Sequence, residues 1–274
     1  MSTRNPQVHS DFSRRRRDVT ALVSRVSPPT LAFVALLGVW QAVSTAQLVP
    51  PDMLPAPTRI ASAGFGERAT LYQHALPTLT ATLAGFSLSV SFAFVTAAFL
   101  DFFGWVRRAL LPLLIMTQTL PLIALAPLVV LWFGFGLLPK VLLVAFVTYF
   151  PMVVGFLRGF DSAEPEAERL LRSMGAGRWT VFRMVRLPSA IPSFFSSLRI
   201  SITYAVVGAI FAEYAGATHG LGVYMQSAKN VFRTDLVLAA VVVSTVLTLA
   251  LYASVTIIER LAVPWLRIEQ GGAQ

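Results

Sequence analysis

Few side chains in this 274-residue sequence are placed to make or break a bond. A phosphate-cradling loop needs a glycine-rich turn followed by Lys-Ser or Lys-Thr, so that backbone amides and one ammonium surround the anion. The chain has two lysines, Lys140 after Pro139 and Lys229 after Ala228, and neither stands in that setting. Its three histidines, His9, His74 and His219, lack the i, i+4 spacing of a zinc-binding helix. No cysteine is present, hence no disulfide framework and no thiolate metal site. No acid-rich pair marks a prenyl-transfer site, and no Gly-x-Ser-Gly nucleophile precedes a histidine-bearing span. These absences count against an enzyme. The acid that stands out is Glu213, at the end of the apolar stretch Ile200–Tyr214 and just ahead of Gly216, Gly220 and Gly222. A carboxylate at membrane depth is costly and faces a cavity, whereas one at the interface is simply hydrated. Both readings are open for Glu213: a wet interfacial charge, or part of an outer gate with Gly220 and Gly222. Asp101 reads as a charge at a cytoplasmic helix end, and Lys229 as a solvated one.

The elements that position these residues are membrane spans. Hydrophobic residues make up 55% of the chain and charged residues 13%, about half the charged share of an ordinary soluble domain. Successive uncharged stretches give six expected spans: Leu31–Val49, Ala75–Leu100, residues 109–139, Val141–Arg158, Ile200–Tyr214 and Leu236–Ile258. A span needs roughly 20 apolar residues to cross about 30 Å of hydrocarbon. The first competes with a signal-peptide reading (basic start, apolar run, then Ser44-Thr45-Ala46), and its length favours a retained span. The third holds Pro112, Pro121 and Pro127. Proline removes a backbone donor and costs about 3 kcal/mol inside a helix. That span is therefore kinked, or broken so that freed carbonyls face protein or a watery path. The fold expected is an all-α polytopic membrane protein: a basic tail over 1–29, a transmembrane domain over 30–262 and a short tail over 263–274. Lys and Arg divide 17 to 5 between the two sides, placing both tails and the polar stretch Asp161–Pro192 in the cytoplasm.

That stretch is the long polar interruption after the first third of the sequence. Glu164, Glu166, Glu168, Arg169 and Arg172 precede Gly175, and Arg178, Arg183 and Arg186 follow it. Leu170, Leu171 and Met174 share one helical face, and Trp179, Phe182 and Val185 another. Gly175 sits where a left-handed helix stop is expected, and Pro188 and Pro192 are expected to end the second helix. Two short amphipathic helices meeting at Gly175 make a docking surface.

Gly175, nine residues, then Val185-Arg186-Leu187-Pro188 resembles the EAA…G…LP loop of bacterial ABC-importer permeases. Arg169-Leu170-Leu171 stands where that family has Glu-Ala-Ala, with Ala167-Glu168 just upstream. Three further segments resemble the nitrate, sulfonate and taurine branch: Leu54-Pro55-Ala56-Pro57, the run from Pro121 through Ala124-Leu125-Ala126-Pro127-Leu128 to Leu131-Trp132-Phe133-Gly134-Phe135-Gly136, and Glu213 with Gly220-Leu221-Gly222. The resemblance covers about residues 50–260. It implies a permease subunit of the bacterial inner membrane, working as a homodimer with two copies of a cytoplasmic ATPase and a periplasmic or lipid-anchored binding protein. ATP and magnesium would be held by the ATPase, with no cofactor or metal in this chain. Glu166, Glu168, Arg172, Gly175, Ala176, Leu187 and Pro188 would form the coupling surface. Pro121, Pro127, Tyr149, Tyr204, Glu213, Gly220 and Gly222 would line the path or its gate. The stretch Gly216–Ala240 resembles permeases for the pyrimidine precursor of thiamine. The absence of a fixed cation from the inner halves of the spans also tilts the reading away from sulfonate or nitrate. An ion-driven secondary transporter would want a buried acid or an inverted repeat, neither of them evident. A tethered nucleic-acid binder is disfavoured because both ends of the polar stretch enter the bilayer within a few residues.

Overall fold

The computed structural model of the chain describes Pro28 and residues 30–263. The tails expected at 1–29 and 263–274 lie almost wholly outside the described residues. The chain divides inside α2 (Pro57–Gly66) into two compact units, one ending at Ala63 and one beginning at Gly64. In the first, α1 (Thr30–Thr45) is shorter than the span expected over Leu31–Val49. Gln47 adopts left-handed backbone (φ 54°) and Pro50-Pro51 follows, so the helix cannot extend. The connecting loop is tied back on α1 by the Ser44 hydroxyl donating to the Leu54 carbonyl (2.8 Å) and by Gln41 bonded to Thr58.

The second unit is a helical bundle. Its helices are α3 (Arg68–Phe102), α4 (Gly104–Thr117), α5 (Leu122–Phe133), α6 (Leu137–Asp161), α7 (Pro165–Ser173), α8 (Arg178–Val181), α9 (Leu187–Tyr214), α10 (Leu221–Asn230) and α11 (Thr234–Ala262). Four helical runs are long and apolar enough to cross a membrane: α3, α6, the continuous Arg178–Tyr214, and α11. Helices α4 and α5 qualify only as a pair, bent by 98°. The third expected span is thus broken rather than kinked, with Pro121 at the break in extended backbone (ψ 119°) and without a hydrogen to donate. The all-α polytopic fold stands, with α1 the shortfall against six spans.

Helix α6 lies between α3 and α9, and α11 covers α9 and α10. Lipid supplies no hydrophobic drive between helices, so close packing of small residues must hold the bundle. Helix α3 presents Ala81, Gly85, Ala93 and Ala97 to α6, and α6 presents Gly155 and Gly159, four apart, to α9. A Cβ on Gly159 would stand 2.9–3.0 Å from the Cβ, Cα and carbonyl oxygen of Ala190, part of which is backbone and cannot yield. Gly159→Val is therefore expected to push α9 off α6 and cost about 1–3 kcal/mol. An unchanged thermal midpoint of the detergent-solubilised variant would contradict this packing.

One expectation about the polar stretch is corrected. Pro188 and Pro192 do not end its second helix, because the chain runs without interruption from Arg178 to Tyr214. Residues Phe182–Arg186 widen into a π turn, with the Leu187 amide donating to the carbonyl of Phe182 five residues back. A proline ring clashes with the carbonyl four residues earlier, and one wide turn gives it room without breaking the helix.

Candidate functional site

Three places gather the residues singled out from the sequence. The first is the coupling end. Helix α7 starts with Pro165 in its first turn, carries Glu166 and Glu168 toward its positive end and Arg172 toward its negative end. It stops at Gly175, whose φ of +82° only glycine adopts freely. The Ala176 amide donates to the Leu171 carbonyl and the Gly175 amide to that of Arg172, both at 3.0 Å, closing the last carbonyls of the helix. Leu170 and Met174 are left exposed, on the face offered outward. Glu166 is exposed as well, but Glu168 turns inward.

Glu168 takes two hydrogen bonds from Arg186, Nε at 2.7 Å and Nη2 at 3.0 Å, while Nη1 of the same guanidinium donates to Asp101 at 2.6 Å. One arginine in the π turn therefore clamps α7 to the end of α3. Its hydrogen bonds hold the Glu168 carboxyl below the usual carboxylate range, against the opposing effect of burial. Arg107, at the start of α4, grips Asp161, at the end of α6, through two parallel hydrogen bonds of 2.9 and 2.6 Å. Arg199 of α9 bonds Glu259 of α11 at 2.5 Å. Ions at this end thus join α3 to the helix that continues into α9, α9 to α11, and α4 to α6. Asp101 is a helix-end charge, as expected. Leu187 packs against the core, while Pro188 is exposed.

The second place is a cavity of about 620 Å³ between α6 and α9, with Gln118 also on its lining. Helix α6 contributes Phe150, Pro151 and Arg158 at helical spacing, and α9 contributes Ser193, Ser196, Ser197 and Tyr204. Tyr204 lines this cavity. Tyr149 does not, because its hydroxyl donates to Thr96 (2.8 Å) between α6 and α3. Pro121 sits at the bend and Pro127 within α5, and neither lines the cavity. Arg158 places a cation on the lining of this cavity, where a path without one was expected from the inner halves of the spans if the path runs here. Its side chain has no hydrogen bond or ion pair among the described residues. It is the last-turn charge of α6, and only the rotation of that helix turns it toward the serines.

The third place is the opposite end, and it is sealed. Glu213 is 1% exposed, which removes the reading of a wet interfacial charge. Its carboxylate accepts from the Thr78 hydroxyl and the Gly222 amide, each at 2.8 Å, and Lys140 Nζ stands at 4.0 Å. Lys140 also donates to the His219 carbonyl (2.9 Å), and the His74 ring bonds the backbone of Gly220. Gly220 and Gly222 leave no room for a Cβ beside that carboxylate. The cluster pins the loop before α10 onto the ends of α3, α6 and α9. Glu213, Gly220 and Gly222 were legible from the sequence, but Thr78, His74 and Lys140 were not.

A bundle of long apolar helices, one of them broken at a proline, with a polar turn at one end and a buried carboxylate at the other, is that of a multi-pass membrane protein. The chain belongs to the family of binding-protein-dependent transport system inner membrane components, which matches residues 89–268. It is 35% identical over 262 residues to the riboflavin transport system permease protein RibX of Chloroflexus aurantiacus, covering 90% of this chain and 98% of that protein. It is 33% identical over 238 residues to the formylaminopyrimidine transport permease protein ThiX of Halalkalibacterium halodurans, covering 86% and 95%. A chain of the inward-facing MetNI methionine ABC transporter shares the fold, with a TM-score of 0.57 at 16% identity, over 70% of this chain and 94% of that one. The protein is thus a permease subunit of an ABC importer, a multi-pass membrane protein whose ATPase is a separate chain and whose partners include a solute-binding protein.

Proposed function

We propose that the chain works as a homodimer with two copies of a cytoplasmic ATP-binding subunit, which holds the ATP and magnesium. The N- and C-termini and the α7 turn face the cytoplasm, in keeping with the 17-to-5 division of Lys and Arg. A periplasmic or lipid-anchored binding protein delivers the solute to the end sealed by Glu213. Closure of the ATPase pair pushes α7, and the Arg186 clamp carries the push to α3 and to the helix that continues into α9. The cavity between α6 and α9 then opens alternately to the two sides. Glu166, Arg172, Gly175 and Ala176 form the surface offered to the ATPase, and Glu168 holds that surface in place. Tyr204 and the serines line the path.

The solute proposed is a planar nitrogen heterocycle of the pyrimidine class. The observation that carries this reading is the lining of the cavity: three serine hydroxyls and one amide to meet ring heteroatoms, with Phe150 and Tyr204 to stack a flat ring. The names of the two relatives above point the same way. Arg158 favours a second reading, an organosulfonate held by its guanidinium. Cells producing the chain with its ATPase and binding protein should accumulate labelled formylaminopyrimidine, and excess unlabelled taurine should leave that uptake unchanged. Accumulation of labelled taurine alone would sink the pyrimidine reading while leaving ATP-driven transport standing.

A further inference from the structure

A second polar cavity, of about 200 Å³, lies at the coupling end, apart from the cavity between α6 and α9, and shares Arg172 with the α7 surface. Its lining includes the guanidinium-bearing residues Arg172, Arg178 and Arg186, the carboxylate of Asp101, and Gly104 at the start of α4. The charges do not cancel. Asp101 is spent on Arg186, whose other two nitrogens are spent on Glu168, and Arg172 lies 3.7 Å from that same Glu168. Arg178 has no ion pair or hydrogen bond from its side chain among the described residues, and it is exposed. The first amides of α4, a helix of 14 residues, add the partial positive charge of a helix start to the same wall. The cavity therefore presents an unspent cation and a helix N-terminus to whatever enters.

Its surroundings suit the level of lipid headgroups. Trp105 and Trp179 follow the lining residues Gly104 and Arg178 in sequence and are 70% and 63% exposed, and the Trp179 ring stacks on Phe102 at 6.0 Å and on Phe182 at 5.7 Å. Exposed tryptophans at the ends of apolar helices sit where hydrocarbon meets water. Basic pockets between transmembrane helices at this depth suit the phosphate of an anionic lipid. We infer that this cavity binds a phosphate diester, the headgroup of an anionic phospholipid, with Arg178 as the principal contact and Arg172 beside it. A lipid seated there would touch α4, α7 and α8 together, so bilayer composition would bear on how firmly the coupling helix is held.

The purified full-length chain, in detergent with equal phosphatidylglycerol and phosphatidylcholine of matched acyl chains, tests this by native mass spectrometry. Phosphatidylglycerol should be retained in preference, and Arg178→Gln should cut that retention about fivefold, the effect of one arginine near an anionic surface. Arg183→Gln, the same change of charge outside the cavity, should leave retention unchanged. Inorganic phosphate displacing the lipid at equal concentration would assign the same phosphate site to a free anion. Equal retention of the two lipids, or retention indifferent to Arg178→Gln, would overturn the inference. So would loss of the copurifying ATPase in Arg178→Gln with lipid retention intact, since the cavity would then receive an acid of the partner.

Discussion

Arg186→Ala is expected to abolish most ATP-driven uptake while the protein still inserts and the ATPase still hydrolyses. The substitution removes the guanidinium that bonds Glu168 through two nitrogens and Asp101 through a third. Charge-assisted bonds of this kind contribute about 1.5–3 kcal/mol each, and the Asp101 side chain, 5% exposed, is left without its counter-charge. With the clamp gone, α7 keeps its own helix and its Gly175 stop but no longer moves as one body with α3. Even 1.4 kcal/mol of lost coupling is about a tenfold change. Uptake per ATP hydrolysed, measured in proteoliposomes, should fall by at least that factor. If the clamp acts as a unit, adding Glu168→Gln to Arg186→Ala should cost little more, because the shared contact is already lost. A double variant that falls by the product of two independent losses would show that the two side chains work separately.

Glu213→Ala is expected to have the largest effect on stability. It leaves Lys140, 9% exposed, facing an emptied space without its carboxylate, and it orphans the Gly222 amide. Breaking one side of a buried charge pair costs about 3–5 kcal/mol, which in a chain of this size lowers a thermal midpoint by about 10 °C. Glu213→Gln keeps acceptors for Thr78 and Gly222 and should lose less, the remainder being the cost of the uncompensated ammonium. The loop before α10 should loosen with it, so a cysteine at Gly222 should become reactive in Glu213→Ala and stay hidden in Glu213→Gln. Equal midpoints for the wild type and the alanine variant would mean that the cluster does not hold this end closed.

Much of this architecture was legible because membrane helices announce themselves by composition. The uncharged stretches located every long helix, but they misplaced the ends. A charge ends an apolar run without ending a helix, so α3 begins at Arg68 rather than Ala75, and α6 runs on to Asp161. Prolines mislead about helix ends in the same way. Pro188 looked like a stop because a proline is costly in an ordinary helix, and nothing local showed that a π turn would accommodate it. Gly175 was legible because a left-handed stop is a local property of one residue.

The sites divide along the same line. Lys140 and Glu213 are 73 positions apart, and Asp101 and Arg186 are 85 apart; only the packing of α3, α6 and α9 brings such partners together. Taken singly, Lys140 is one of two scattered lysines and Asp101 a helix-end charge. Tyr149 and Tyr204 carry the same side chain in similar settings, yet one is spent on Thr96 and the other lines the cavity. Helix rotation decides between them, and composition cannot report it.

The most direct test of the coupling assignment is Gly175→Val in the complete transporter, reconstituted in proteoliposomes. No atom lies within 4 Å of the position a Cβ would take, so the effect is confined to the backbone, where a β-branched residue at φ +82° is strained by about 1–3 kcal/mol. The turn between α7 and α8 should open and the two helices lose their alignment, with insertion and expression unchanged because every span is untouched. Solute uptake should collapse and the stimulation of ATP hydrolysis by the loaded binding protein should vanish with it. Wild-type uptake and wild-type stimulation in Gly175→Val would contradict the assignment of this turn as the element through which ATP drives transport.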